Sequence, residues 1–192
     1  MDRRELLKMV ALLTGGAVIG GQVFLSGCNN SDTTATTTTD GAFSKDDIAF
    51  LDEVAETILP KTNTPGAKDA AVGTFMTVMV NDCYTEADQK IFHAGLKKLD
   101  EASNKLNNAG FLKSTPEQRH ALLVSLDKEA KDYGKSKKPE DPNHYFSMMK
   151  QLTLLGFFTS KPGATQALRY VAVPGKYEGC VPYKKGDKAW AT

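Results

Sequence analysis

The chain has 192 residues, of which 24 are basic and 23 acidic, so its formal net charge is +1 at pH 7. Hydrophobic residues make up 41% of it, and the length is that of one ordinary domain with a short extension. A net charge near zero argues against nucleic-acid binding by this chain, because proteins that bind nucleic acid are typically strongly basic.

The first 27 residues have the pattern of a bacterial export signal. Arg3 and Arg4 begin R-R-E-L-L-K, which resembles the twin-arginine signal of proteins exported in the folded state. A mildly apolar stretch, Met9–Leu25, then leads into L-S-G-C, which resembles a lipobox ending at Cys28. We therefore predict that residues 1–27 are removed and that Cys28 is lipidated. The protein would then be held on a membrane by its lipid, facing the periplasm or the cell exterior.

Two other interpretations of this segment stay open. A permanent transmembrane helix needs about 20 apolar residues, and Met9–Leu25 is shorter and contains four glycines. An ordinary secretory signal with an accidental arginine pair is the second alternative. Residues 28–42 follow as a Thr-rich polar tether, and a folded domain is predicted over 43–192.

Helical periodicity and capping signals predict an all-α domain of about five helices with an irregular C-terminal tail packed on it. Ser44 opens the first helix with a capping box, and Pro60 stops it. Thr85 begins the third helix, and Thr115 with Pro116 begins the fourth. The other predicted elements are a central helix over Val72–Tyr84, a third-helix stripe of Phe92, Leu96, Leu99 and Leu106, an exposed loop over Gly134–Pro142, and an apolar fifth helix over Tyr145–Phe158.

Motifs for independent catalysis are missing from the sequence. There is no glycine-rich nucleotide loop and no C-x-x-C-H haem attachment. His93, His120 and His144 are far apart, so a three-histidine zinc site is the weaker alternative to ordinary surface or partly buried histidines. We expect no catalytic residue, no metal and no cofactor bound by this chain.

The tail carries a longer and more specific pattern. It contains F-F-T-S-K-P-G-A-T-Q over 157–166, then L-R-Y over 168–170, V-P-G over 173–175 and Y-E-G-C-V-P over 177–182. Together with I-L-P at 58–60, N-T-P-G-A at 63–67 and D-C-Y at 82–84, this order resembles the gluconate 2-dehydrogenase subunit 3 family. The resemblance covers roughly Phe43 to the C-terminus, and the lipobox is not a requirement of that family.

The resemblance implies an accessory role. Members are small subunits of membrane-associated FAD-dependent sugar and sugar-acid dehydrogenases, in which the large subunit carries FAD and a cytochrome with haem c often accepts the electrons. The small subunit supports maturation and export of its flavoprotein. A stand-alone cell-envelope lipoprotein that binds another ligand or protein is the alternative.

Two further predictions concern single residues. Once Cys28 is lipidated, Cys83 and Cys180 remain, and an oxidising destination predicts a disulfide between them, with free thiols or a histidine-assisted metal site as alternatives. Thr159, Arg169 and Tyr170 are predicted to belong to the partner interface or to fix the tail. For Arg169 the alternative is a bond to buried carbonyls or to an acidic side chain of its own domain.

Overall fold

The computed structural model describes residues 43–173, 175–176 and 178–191, and the all-α fold is confirmed there. Its α-helices are α1 Lys45–Ile58, α2 Val72–Cys83, α3 Glu86–Asn107, α4 Pro116–Ser136 and α5 Tyr145–Thr159. Short 3-10 turns at Lys68–Ala70 and Phe111–Lys113 and a π turn at Gly163–Ala167 connect or follow them. Arg3, Arg4 and Cys28 lie outside the described residues, so the export signal and the lipidation stay predictions.

The helices begin where the capping signals indicated. The Ser44 hydroxyl accepts from the backbone N–H of Asp47 at 3.1 Å, and the Asp47 carboxylate accepts from the backbone N–H of Ser44 at 2.9 Å. Thr115 and Gln118 form the same reciprocal pair before α4. Each box satisfies two N–H groups that a helix start leaves without partners.

The fifth helix, rather than the predicted Val72–Tyr84 segment, is the one that contacts α1, α2, α3 and α4. It packs closely because two glycines remove side chains at crossing points. A Cβ at Gly156 would lie 2.6 Å from the ring of Phe75 on α2, and one at Gly95 of α3 would lie 2.6 Å from the Cβ of Tyr145. Within the described residues, no helix is both long and apolar enough to cross a membrane.

Two local predictions from the sequence were wrong. The fourth helix continues through Gly134 to Ser136, so the exposed loop starts three residues later than predicted. On α3 the buried line passes through Ser103, whereas Leu106 is exposed. Ser103 takes the buried place because its hydroxyl donates to the carbonyl of Ala109 and lies 3.0 Å from the hydroxyl of Ser114, which fixes the following chain reversal.

The tail is irregular beyond the π turn, as predicted. Ala167 still packs against the core, but no described residue from 168 onward is buried. We call residues 168–191 the C-terminal arm. The predicted packing of the tail on the helices is therefore limited to the π turn. The arm itself presents its side chains to solvent.

Candidate partner interface

The fifth helix exposes a row of large apolar side chains. Leu154, Leu155 and Phe158 are 38%, 43% and 38% exposed, at spacings that place them on one side of the helix. The opposite side carries buried residues such as Met149 and Thr153. A helix that is apolar all round is normally covered all round, so the open side of α5 has the composition of an interface rather than of a solvated surface.

Neighbouring helices extend this surface on both sides. On α2, Phe75 packs against Gly156, and Val78 one turn further on is 51% exposed. On α4, Asp127 binds Lys150 of α5 at 2.6 Å, and Val124 one turn before Asp127 is 56% exposed. We define the α5 face as Leu154, Leu155 and Phe158 with the flanking Val78 and Val124.

The face is uncharged over most of its length. From Gln151 to Thr159 α5 has no charged residue, and α2 has none before Asp82. Lys150 of α5 forms an ion pair with Asp127 of α4, which also binds Lys131. These two lysines, Lys131 foremost, hold the pKa of the Asp127 carboxyl below its usual range. Partner binding here would rest on apolar packing.

A hydrogen-bonded loop lies at the end of the bundle where α5 finishes. The Glu56 carboxylate of α1 accepts from the backbone N–H groups of Lys61 and Lys68, at 2.8 and 2.9 Å. The Asp69 carboxylate accepts from Gly66 N–H and from Lys61, and these bonds, that of Lys61 first, lower the pKa of Asp69. The loop over 60–71 is thus tied to α1 by the Glu56 carboxylate, and its Ala67 is buried in the hydrophobic core.

Two copies of the triplet Pro-Gly-Ala meet this end of the bundle, at 65–67 and 162–164. Pro65 and Pro162 line one cleft of about 370 Å³. Both glycines are required by close approach: a Cβ at Gly66 would collide with the Glu56 carboxylate, and one at Gly163 would collide with the carbonyl of Phe157. The second of these turns packs directly against the end of α5 through the contact of Gly163 with Phe157.

The predicted interface residues lie close together in sequence but differ in environment. Thr159 is exposed at the end of α5, and its hydroxyl donates to the carbonyl of Leu155. Arg169 is exposed, and its guanidinium carbon lies 3.8 Å from the centroid of the Trp190 ring. Tyr170 is 54% exposed. Their roles toward a partner stay predictions, but Arg169 is placed on an aromatic ring of its own arm, rather than on an acidic side chain.

The structure does not contain the predicted disulfide, because Cys83 and Cys180 are both free and exposed in it. Cys83 ends α2, and Cys180 lies in the arm, which is solvent-exposed along its length. The pairing therefore stays a prediction for the exported, oxidised protein.

The histidines are dispersed over the bundle. His93 stacks on Phe43 with ring centroids 4.2 Å apart, His120 is exposed on α4, and His144 accepts from the N–H of Phe146 at the start of α5. Among the described residues, no three His, Cys, Asp or Glu side chains are grouped as metal ligands would be. Burial raises the pKa of the neighbouring Tyr145 to about 12, so its phenol stays protonated in the packed interior.

Comparison with protein families shows the family of the chain. A family model described as Gluconate 2-dehydrogenase subunit 3 matches residues 45–175, which include all five helices and the start of the arm. The chain belongs to this family. No individual curated protein and no solved structure matches the chain. The family match includes Arg169 but stops before Trp190, its partner in the contact that closes the arm.

The interface predicted from the sequence included Thr159 but not the apolar residues beside it. The composition of the fifth helix contained the signal, since only Lys150 is charged between Tyr145 and Thr159. Periodicity could not say which side stays open, because apolar residues occur on every side of that helix.

Proposed function

We propose that this chain is the non-catalytic small subunit of a membrane-associated, FAD-dependent sugar or sugar-acid dehydrogenase. The family it belongs to is named as subunit 3 of gluconate 2-dehydrogenase. FAD would lie in the large subunit, and haem c in a cytochrome subunit where one is present. The chain itself would supply a binding surface and no reacting group.

The observation that carries this proposal is the open α5 face. Exposing Leu154, Leu155 and Phe158 to water costs free energy that a partner surface recovers, by about 25 cal/mol for each Å² of apolar area buried. Interface cores are apolar and poor in charge, and this face has both properties. We therefore propose that the large, FAD-containing subunit binds here.

Export and attachment complete the proposed role. A flavoprotein that folds around FAD in the cytoplasm needs a route for folded proteins, and the Arg3–Arg4 pair of this chain would supply it. The lipid on Cys28 would then hold the complex at the membrane. Support for these two steps comes from the sequence pattern of residues 1–28.

The test is co-purification with the flavoprotein after co-expression, comparing the unchanged chain with Leu155→Gln/Phe158→Gln. Glutamine favours helix and both positions are exposed, so the fold should be retained. We expect binding to weaken at least about tenfold, as for residues at the centre of an interface. Leu106→Gln is the matched control, because Leu106 is 60% exposed on α3, outside the α5 face.

Three outcomes are informative. Loss of the FAD-containing chain in the double variant alone supports the proposal. Equal binding by all variants would contradict the assignment of the face. Purification of the unchanged chain without any flavoprotein would favour the stand-alone lipoprotein.

A further inference from the structure

The C-terminal arm has its own exposed apolar surface, separate from the α5 face. Val173 and Tyr183 are 81% and 76% exposed. The other large exposed apolar or aromatic residues of the arm are Tyr170, Val171, Val181 and Trp190. Within one short segment this is more apolar surface than scattered single residues explain.

A clip closes the base of the arm. The backbone N–H of Arg169 donates to the carbonyl of Ala189 at 2.8 Å, and the N–H of Ala191 donates to the carbonyl of Arg169 at 2.9 Å. The Arg169 guanidinium covers the Trp190 ring at 3.8 Å. Lys188 also donates to the carbonyl of Gln166 in the π turn. Residues 170–189 therefore form a closed loop held at its two ends, not a free tail.

The arm is the basic part of an otherwise slightly acidic chain. Residues 168–191 contain five basic and two acidic residues, a net charge of +3. Since the whole chain has a net charge of +1, the remaining residues together carry −2. Lys184 and Lys185 lie at the loop's tight turn, where Asp187 binds the N–H of Lys184 at 2.8 Å and Gly186 has φ +97°.

The arm is also continuous with the α5 face. It leaves the bundle through the π turn, where the N–H of Gly163 donates to the Ser160 hydroxyl and that hydroxyl donates to the carbonyl of Phe157. Phe157 immediately precedes Phe158 of the α5 face. A partner that covers the end of α5 therefore meets the base of the arm.

We propose that the clipped arm is a second contact with the flavoprotein subunit and that it binds an acidic surface beside the apolar patch that receives the α5 face. This inference rests on the proposed function. The two contacts differ in kind, because the α5 face binds by apolar packing and the arm by charge complementarity with aromatic contacts. Charge complementarity acts mainly on association rates and is screened by salt.

The difference in salt sensitivity provides the test. Association of the full chain with the purified flavoprotein is measured at low and high salt for the unchanged chain, Lys184→Glu/Lys185→Glu and Trp190→Ala. We expect the double charge reversal to lower the association rate about tenfold at low salt and to flatten its salt dependence. Trp190→Ala should weaken binding by opening the clip, with the charges unchanged.

A matched control is available on α3. Lys97→Glu/Lys98→Glu reverses the same number of charges at two adjacent exposed lysines of α3, a helix that contributes no residue to the arm or to the α5 face. Both double variants change the net charge of the chain by the same amount, so an effect of net charge alone would appear in both. The specific effect of the arm is the difference between the two double variants.

The outcomes separate this inference from the proposed function. If both double variants bind alike, or if Trp190→Ala binds as the unchanged chain does, the arm is not a contact and the inference is overturned, whatever Leu155→Gln/Phe158→Gln shows. If the arm variants bind normally but lose sedimentation with phosphatidylglycerol vesicles, the arm contacts lipid and the inference is likewise overturned. If the flavoprotein binds none of the chains, the proposed function fails first.

Discussion

Single residues set the geometry of the proposed interface through close backbone contacts. Gly163→Ala would place a Cβ against the carbonyl oxygen of Phe157, which cannot move without distorting the end of α5. We expect a loss of about 1–3 kcal/mol in the free energy of unfolding, as for overpacked sites. Thermal or urea unfolding measures it.

Gly134 is the matched control for that substitution. It lies inside α4, and nothing stands within 4 Å of a Cβ built there. Gly134→Ala should therefore raise stability by up to about 1 kcal/mol, because alanine favours the helix. Similar losses at both positions would show that the π turn is not fixed as described.

A second prediction at the residue scale concerns Asp127 and the pH dependence of the free energy of unfolding. Its pKa is lower in the folded chain than the value of about 3.9 in an unfolded one. The ionised Asp127 carboxylate therefore stabilises the fold at pH values above its unfolded pKa, and this stabilisation is lost as the pH falls through its folded pKa. Asp127→Asn should lower the free energy of unfolding by about 0.2–1 kcal/mol at pH 7, the range for partly exposed pairs.

A double-mutant cycle with Lys150→Met isolates the contribution that links α4 to α5. The cost of Asp127→Asn should shrink in the Lys150→Met background and should disappear at acid pH in either. A cost that is the same at pH 7 and pH 3 would contradict the assigned cause.

At the scale of elements, the sequence predicted where helices begin better than it predicted which of their residues are buried or where they end. Ser44, Thr85 and Thr115 cap as predicted, because a cap depends on residues within one turn. Leu106 was misjudged because Ser103 takes the buried place through contacts with the following chain reversal. Gly134 was misjudged because a helix can continue through a single glycine. The α5 face and the Arg169–Trp190 clip were beyond prediction because they rest on distant contacts: one depends on three helices, and the other joins residues about 20 positions apart.

The arm also makes the predicted disulfide reachable. Cys180 stands near the middle of the loop closed by Arg169 and Trp190, and eleven residues of extended chain span up to about 36 Å. Helix α2 is about 18 Å long for its 12 residues, and Asp69 near its start lines the same cleft as Gln166 near the start of the arm.

We therefore expect Cys83 and Cys180 of the exported protein to be joined. Alkylation of the unfolded protein before and after reduction measures this, with mass spectrometry to count labels. No label before reduction and two after it are expected. Two labels on the exported protein before reduction would contradict the pairing.

At the scale of the whole molecule, we propose different tasks for the two ends of the chain. Cys28→Ser should leave export intact and release the complex from the membrane, because only the lipid is lost. Stable attachment needs more than one acyl chain, which the cysteine of bacterial lipoproteins provides. Fractionation of cells into soluble and membrane parts, followed by dehydrogenase activity, measures the result.

The export signal tests the central claim most directly. Arg3→Lys/Arg4→Lys is introduced into this chain alone, and the flavoprotein is located by its activity in periplasmic and cytoplasmic fractions. If this chain escorts a folded, FAD-containing partner, both proteins should stay in the cytoplasm. Retention of this chain while the flavoprotein still reaches the periplasm in active form would contradict the account.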